Sequence, residues 1–409
     1  MDSFALHFLS RSRAGMAIMD VRAILVVTPP EPPSGECFAG VPLALADIVG
    51  KSLVEHTCDR LGRFGVEEVA VVCEKRFHNS VHFFGKAPAH RLMLEQESVW
   101  STCQGVFSDF AQAGAEVVLV QRLGAYTEVN FDHLLQFHLD RRAHVSALSD
   151  IDGSLDLVAI SASRRNDAAF LFRHRLTEFR VLPAKYLYNG FVNRMRHASD
   201  LRRLTCDVLL ERTELRPVGK QIRPGVWAGR GVRVERGARV VAPAYLGEGA
   251  RIRAAAVVTR GSSVGHHAEI DCGTIVDASS VLPFSYVGAA LELANCVAGS
   301  KHLASLERNV DVEIADGKLL NVRSASASHR ALQSAALFTK FVPLEMVRGI
   351  FALRRPTSSL EVPDGIAPSA LQGAAEVERK RKERERMQSS APAAFENQLV
   401  VVRRYGGDQ

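Results

Sequence analysis

The chain has 409 residues, a formal net charge of +6 and 47% hydrophobic residues. That length suits two or three domains with ample cores, and a basic excess this small and dispersed speaks against a nucleic-acid-binding protein. No stretch approaches the roughly 18 apolar residues of a membrane-spanning helix. The seven cysteines lie far apart without a Cys-x-x-Cys pair, so they predict free thiols in a reducing cytoplasm and no metal site.

Residues 1–20 read as an N-terminal extension, with an acidic second residue and no apolar run of signal-peptide type. VRAILVV, Val21 to Val27, predicts a buried parallel strand. A proline-rich loop follows, TPPEPPSGECFAG. A helix is then predicted with Leu53, Val54, Cys58, Leu61 and Phe64 on one face and Gly65 as its C-terminal stop. Val69 to Cys73 predicts a second strand, which completes a βαβ opening. A helix over Val99 to Phe110, a strand over Glu116 to Val120 and a helix over Phe131 to Asp140 come next. Val145 to Leu148 and Leu157 to Ile160 flank IDGS, a turn between two strands. The alternation predicts a doubly wound, Rossmann-like α/β domain over 21–199. A connecting helix with Asp200 as N-cap leads through a linker at 200–221.

From Ile222 every sixth residue is aliphatic: Ile222, Ala228, Val234, Val240, Leu246, Ile252, Val258, Val264, Ile270, Val276 and Leu282. A second register two places earlier is small: Ala238, Ala244, Ala250, Ala256, Ser262, Ala268, Thr274 and Ser280. A period of six fits neither a helix nor a plain strand. It fits the hexapeptide repeat of a left-handed-type parallel β-helix with about 18 residues per coil. The coils bury their apolar sides only by stacking, so they form one cooperative solenoid over 222–322. Gly247 and Gly265 are placed at corners that need backbone freedom. The hexads lose register beyond Ser285, where extra strands are expected to close the end. A helical or disordered tail is predicted for 323–409. It contains the charged run EVERKRKERER and the apolar tetrad Leu399 to Val402, and truncation after Ala375 is expected to leave folding intact.

Three stretches carry a family resemblance: PLALADIVGKSLVEHTCDRLGRFGVEEVAVV, RPVGKQIRPGVWAGRGVRV and SYVGAALELANCVAGSKHL. Together with the hexads they resemble the sugar-phosphate nucleotidyltransferases (NDP-sugar pyrophosphorylases), above all the mannose-1-phosphate guanylyltransferase-like members. The resemblance covers about residues 21 to 322. It implies a nucleotidyltransferase-like α/β domain followed by the β-helix. The implied reaction is attack of a sugar 1-phosphate on the α-phosphate of a nucleoside triphosphate, with Mg²⁺.

Such a site needs backbone N–H groups for phosphates, a basic residue for the leaving pyrophosphate and a carboxylate for the metal. The family pattern supplies these as a GGxGTR-type loop, a Lys-Pro and a Gly-Asp. Here the loop reads Thr28-Pro29-Pro30-Glu31-Pro32-Pro33, the Lys-Pro position is Val41-Pro42, and Gln121-Arg122-Leu123-Gly124 stands in place of Gly-Asp. Prolines offer no N–H donors. The expectation is a pseudoenzyme of sugar-nucleotide or polysaccharide biosynthesis with impaired catalysis and a binding, regulatory or assembly role.

Two alternatives stay open. An active nucleotidyltransferase with a rebuilt site would use Lys51 or Asp47, with Mg²⁺ as cofactor; Asp150 and Asp152 compete between that role and a turn. Asn189 and Asn193 lie where the family contacts sugar. A hexapeptide acyltransferase would use His266 or His267 as general base on an exposed corner. The partners expected are a sugar nucleotide or sugar phosphate and other subunits in a homo- or hetero-oligomer.

Overall fold

The computed structural model describes residues 19–28, 37–38, 41–66, 68–75, 77, 90–94, 99–259 and 261–322. The prolines at 29, 30, 32 and 33 and the whole tail from 323, with its charged run and apolar tetrad, lie outside these residues. Contacts divide the described chain into two units, one of 19–46 with 51–197 and one of 47–50 with 198–322.

The first unit is a seven-stranded sheet: β1 (Val21–Val27), β2 (Val69–Glu74), β3 (His90–Leu94), β4 (Val117–Arg122), β5 (Val145–Asp150), β6 (Gly153–Ser161) and β7 (Ala184–Leu187). Their spatial order is β7-β5-β6-β4-β1-β2-β3. β1 pairs in parallel with β2 and β4, while β6 runs antiparallel between β4 and β5. The sheet is therefore mixed, because the IDGS turn folds β5 and β6 into a hairpin whose second strand inserts beside β4. Helices α1 (Leu53–Arg63), α2 (Val99–Gln112), α3 (Phe131–Asp140) and α4 (Arg165–Arg173) accompany it. Alternate residues of β1, β2 and β4, among them Ile24, Val72 and Val120, form a core with Phe107 of α2 and Phe172 of α4. The intervening residues Leu25, Val71 and Leu119 are buried too, which explains the uninterrupted aliphatic runs. Ser52 and Glu55 close a reciprocal capping box at the start of α1, and Gly65 ends it with a φ of 83°.

His138, in the last turn of α3, is buried. Its Nδ1 lies 2.8 Å from Ser146 Oγ and its Nε2 3.0 Å from Ser161 Oγ. The Ser161 hydroxyl donates to the Ala143 carbonyl, so it accepts from Nε2–H, and Nδ1 accepts from Ser146. This is a neutral imidazole, and burial pushes its pKa below the usual histidine value.

The second unit begins with α5 (Ala198–Leu209), whose Leu201, Leu204 and Val208 are buried. Asp200 sits inside the first turn of α5 rather than at the N-cap, because the helix starts at Ala198, three residues earlier than expected. The solenoid then winds through three parallel faces. One face holds Val226–Ala228, Ala244–Leu246, Ser262–Val264 and Ser280–Val281. The second holds Arg233–Val234, Arg251–Ile252, Glu269–Ile270 and Ser285–Val287, and the third Arg239–Val240, Val257–Thr259, Ile275–Asp277 and Glu292–Ala294. Leu246, Ile252, Val258, Val264, Ile270 and Val276 are fully buried, as are Ala244, Ala250, Ala256, Ser262, Ala268 and Thr274 in the small register.

The repeat departs from the sequence expectation in three places. Ile222 is exposed, because Lys220–Arg223 is an antiparallel strand lying outside the first coil. Leu282 is not in the core stack; Val281 takes that place, pairing with Val264. One residue is lost at the corner between Val276 and Val281, where Ala278 adopts a φ of 47°. The hexads then continue through Val287 and Leu293 instead of ending at 285. Gly247 has no left-handed φ; a Cβ there would stand 2.6 Å from the carbonyl carbon of Gly265 in the next coil. Close approach, not backbone freedom, is what selects glycine at this corner. Cys296–Gly299 extends the first face in parallel with Ser280–Val281, and the antiparallel strands His302–Ser305, Val310–Glu313 and Leu320–Val322 close the far end.

Ile270 sits mid-stack, so Ile270→Asp should cost more than about 4 kcal/mol by leaving a charge without a partner. Denaturant melting of the variant checks this, and an unchanged midpoint would rule out the stack as described. For His138, the folded form resists protonation while the unfolded form does not. Its contribution is therefore present above the unfolded pKa of about 6.5 and lost as pH falls through the lower folded value. Stability of the wild type should drop on acidification below about pH 6.5, and His138→Gln should show a shallower fall over that window.

Candidate functional site

In an open α/β sheet, ligands bind at the carboxyl ends of the strands where strand order reverses. Here the order reverses at β1, between β2 on one side and β4 on the other. The carboxyl ends beside that crevice carry Glu74 on β2 and Arg122 on β4. Arg122 Nε and Nη2 donate to Asp156 Oδ2 at 2.8 and 2.5 Å. Asp156 belongs to β6, whose antiparallel course brings its amino end to the same edge. Arg194 Nη2 contacts Asp150 Oδ1, and its Nη1 donates to the Ser154 carbonyl at 3.0 Å. The Ser154 hydroxyl donates in turn to Asp156 Oδ1 at 3.3 Å. Two aspartates and two arginines thus share one network along the edge.

Mg²⁺ takes hard oxygen donors with room for water. The Asp156 carboxylate is held by a guanidinium, and a second cation beside Arg122 would be repelled. This donor set does not fit the Mg²⁺ that the sequence resemblance implies. Among the described residues no group of three His, Cys, Asp or Glu side chains converges as a metal site.

The sequence-predicted residues are scattered. Lys51 Nζ bonds Asp59 Oδ2 at 2.5 Å, next to the α1 cap. Asp150 Oδ1 accepts the Asp152 N–H at 2.9 Å, the geometry of a turn. Asn189 is exposed in the loop after β7, whereas Asn193 is buried in a two-stranded ribbon formed by Ala125–Thr127 and Val192–Arg194. Glu74, Arg122, Asp156 and Arg194 were missed. Glu74 and Arg122 carried a signal, a charged residue closing an aliphatic strand, but Asp156 and Arg194 reach the edge only through sheet pairing.

Asp47 and His266 do meet, within the second unit. His266 Nδ1 lies 3.4 Å from Asp47 Oδ2, with both side chains under 9% exposed. This corrects the expectation of an exposed corner. Segment 47–50 lies against His266, and the Phe284 ring of the next coil stands edge-on to the imidazole at 5.0 Å. His267 stacks on the same Phe284 ring at 5.3 Å and is half-buried. Asp47 Oδ1 also accepts the Gly50 N–H at 2.5 Å. Burial pushes the nearby Tyr245 phenol up, with the charges of Asp47 and Glu248 adding to the shift. A carboxylate beside an imidazole nitrogen fixes ring orientation. The 47–50 turn is anchored within the second unit by the Val218 N–H, which donates to the Val49 carbonyl at 3.0 Å.

No family model matches the chain, and no curated protein matches it. Among solved structures, HddC from Yersinia pseudotuberculosis, complexed with GMP-PN, aligns with 45% of this chain and 98% of its own. Identity is 13% and the TM-score 0.34, a likeness that assigns neither fold nor ligand.

The anchor makes a test. Gly50 has a φ of 106°, and a Cβ there would meet the Tyr245 hydroxyl and stand 2.7 Å from Val218 Cβ. Gly50→Ala should destabilise the protein by about 1–3 kcal/mol. Denaturant unfolding would show this as a lower midpoint, and an unchanged midpoint would mean the turn is not seated there.

Proposed function

We propose that the chain is an NDP-sugar pyrophosphorylase-like protein of sugar-nucleotide or polysaccharide biosynthesis that binds a sugar nucleotide or sugar phosphate and is impaired in nucleotidyl transfer. Its role is regulatory or structural within an assembly. The mixed α/β sheet with its crevice at β1 and β4, on a chain that also carries a parallel β-helix, supports the first part. The impairment rests on one observation above all: Arg122 ends β4 and engages Asp156, where the reaction needs a carboxylate free for a metal.

The chemistry follows from charge. Phosphoryl oxygens gain nothing from Asp150 or Asp156 directly. A ligand phosphate offers Arg122 and Arg194 a competing acceptor, since guanidinium forks bind carboxylate and phosphate alike. Binding by exchange of partners holds a nucleotide or sugar phosphate without activating it. No Lewis acid is positioned by these residues to offset charge on a leaving pyrophosphate.

Two measurements on the purified full chain test this. Thermal shift with sugar nucleotides, sugar 1-phosphates, nucleoside triphosphates and acyl-CoAs should show stabilisation by one of the first two classes. Pyrophosphate release from the four nucleoside triphosphates with sugar 1-phosphates should stay far below the about 1–1,000 per second of ordinary enzymes. Robust turnover abolished by Lys51→Ala would overturn the impairment and show a rebuilt site. A shift with acyl-CoA alone would favour the acyltransferase reading.

A further inference from the structure

The amino-terminal end of the solenoid is strongly and unevenly charged. Arg216, Lys220, Arg223, Arg230, Arg233, Arg236 and Arg239 are all exposed, on the first coil or the chain leading into it. The acids beside them are already engaged. Glu235 accepts from Arg253 at 2.8 Å, and Glu248 faces Arg230 at 3.6 Å. Arg253 also holds Glu269 at 2.7 Å. Among the described residues, Arg216, Arg223, Arg233, Arg236, Arg239 and Arg251 have no carboxylate within ion-pair distance.

Two of these are placed against each other. Arg233 and Arg251 are direct partners in the parallel ladder of the second face. Adjacent strands lie about 4.8 Å apart, and like charges directly opposite are destabilising. The third position of that row, Glu269, is committed to Arg253. The repulsion between Arg233 and Arg251 is thus left for an external anion to relieve. Arg236 and Arg239 carry the same charge around the next corner onto the third face.

We infer that this arginine rim is a docking surface for a linear acidic polysaccharide, whose carboxylates bridge the Arg233–Arg251 pair and continue along Arg236 and Arg239. Guanidinium groups match planar carboxylates with paired N–H donors, and six of the seven exposed cations are arginine rather than lysine. Single-stranded nucleic acid calls for aromatic platforms. The aromatic side chain of the first coil is Trp227, which is half-buried in its strand. The choice of a sugar polymer rests on the functional reading above; the charge arrangement does not.

The test uses the full chain and three immobilised probes: polygalacturonate, neutral dextran and short duplex DNA. Polygalacturonate should be bound, dextran should not, and the affinity should fall steeply between about 50 and about 200 mM salt, as for other polyanion contacts. Arg233→Glu with Arg239→Glu should weaken polygalacturonate binding by at least about tenfold, the equivalent of 1.4 kcal/mol. Arg233→Glu alone should leave the melting temperature unchanged or raised, since it turns a repulsive pair into an attractive one. Absent binding, binding insensitive to these reversals, or equal or tighter binding of duplex DNA overturns the proposal. The sugar-nucleotide thermal shift is read on the same variants and is expected to persist. Its absence in wild type alongside polygalacturonate binding would sink the functional reading and leave the rim standing.

Discussion

A column of aliphatic side chains, one from each short face, holds the second unit together. The parallel strands of its coils from Val226 to Ala294 are two or three residues long, too short to persist alone. Each buried Val, Ile or Leu contributes about 1.5–3 kcal/mol, but only when the coils above and below remove its surface from water. Everything else in the solenoid answers to that requirement. The small register lets the backbone close around the column. Gly247 and Gly265 remove side chains where successive coils touch, and the antiparallel closing strands give the last coil a cover.

The shortened coil shows how tightly backbone groups are accounted for. Dropping one residue between Val276 and Val281 leaves peptide groups out of step with the neighbouring coils. Hydroxyls fill those places. Ser262 Oγ accepts the Ser279 N–H at 3.3 Å, and its single proton is shared between the Thr259 and Val276 carbonyls. Ser279 Oγ accepts the Cys296 N–H at 3.1 Å and donates to the Asp277 carbonyl at 2.7 Å. Buried hydroxyls in an apolar stack are tolerable because each one completes a backbone hydrogen bond. At the opposite end Lys220–Arg223 pairs antiparallel with Val226–Ala228, and the first strands of the other two faces begin with Arg233 and Arg239, charges that also discourage edge-to-edge pairing.

The first unit presents the contrast between a scaffold and its chemistry. Its strand order creates a crevice where α/β proteins place ligands. Along that edge each aspartate has been given an arginine, Asp156 to Arg122 and Asp150 to Arg194. Such pairs hold a loop edge in place and tie up carboxylate oxygens along it. Sheet topology sets these two ion pairs, because the antiparallel course of β6 brings Asp156 to the carboxyl end of β4.

The hexad pattern alone determined the solenoid, because a period of six has a single physical reading when ten of eleven positions are branched aliphatics. The strand–helix alternation determined the opening of the first unit for the same reason: burial on both strand faces and on one helix stripe leaves distinct periodicities. Tertiary structure alone decided the rest. Losing one residue at Ala278 moved Val281, not Leu282, into the column, and no local pattern marks which of two adjacent aliphatics turns inward. Pairing of β6 with β4 set Asp156 against Arg122, 34 residues away in sequence. Seating of the 47–50 turn turned His266 from an expected open corner into a buried partner of Asp47. Charge pairing depends on which distant segments meet, and a single chain's composition and periodicity carry no record of that.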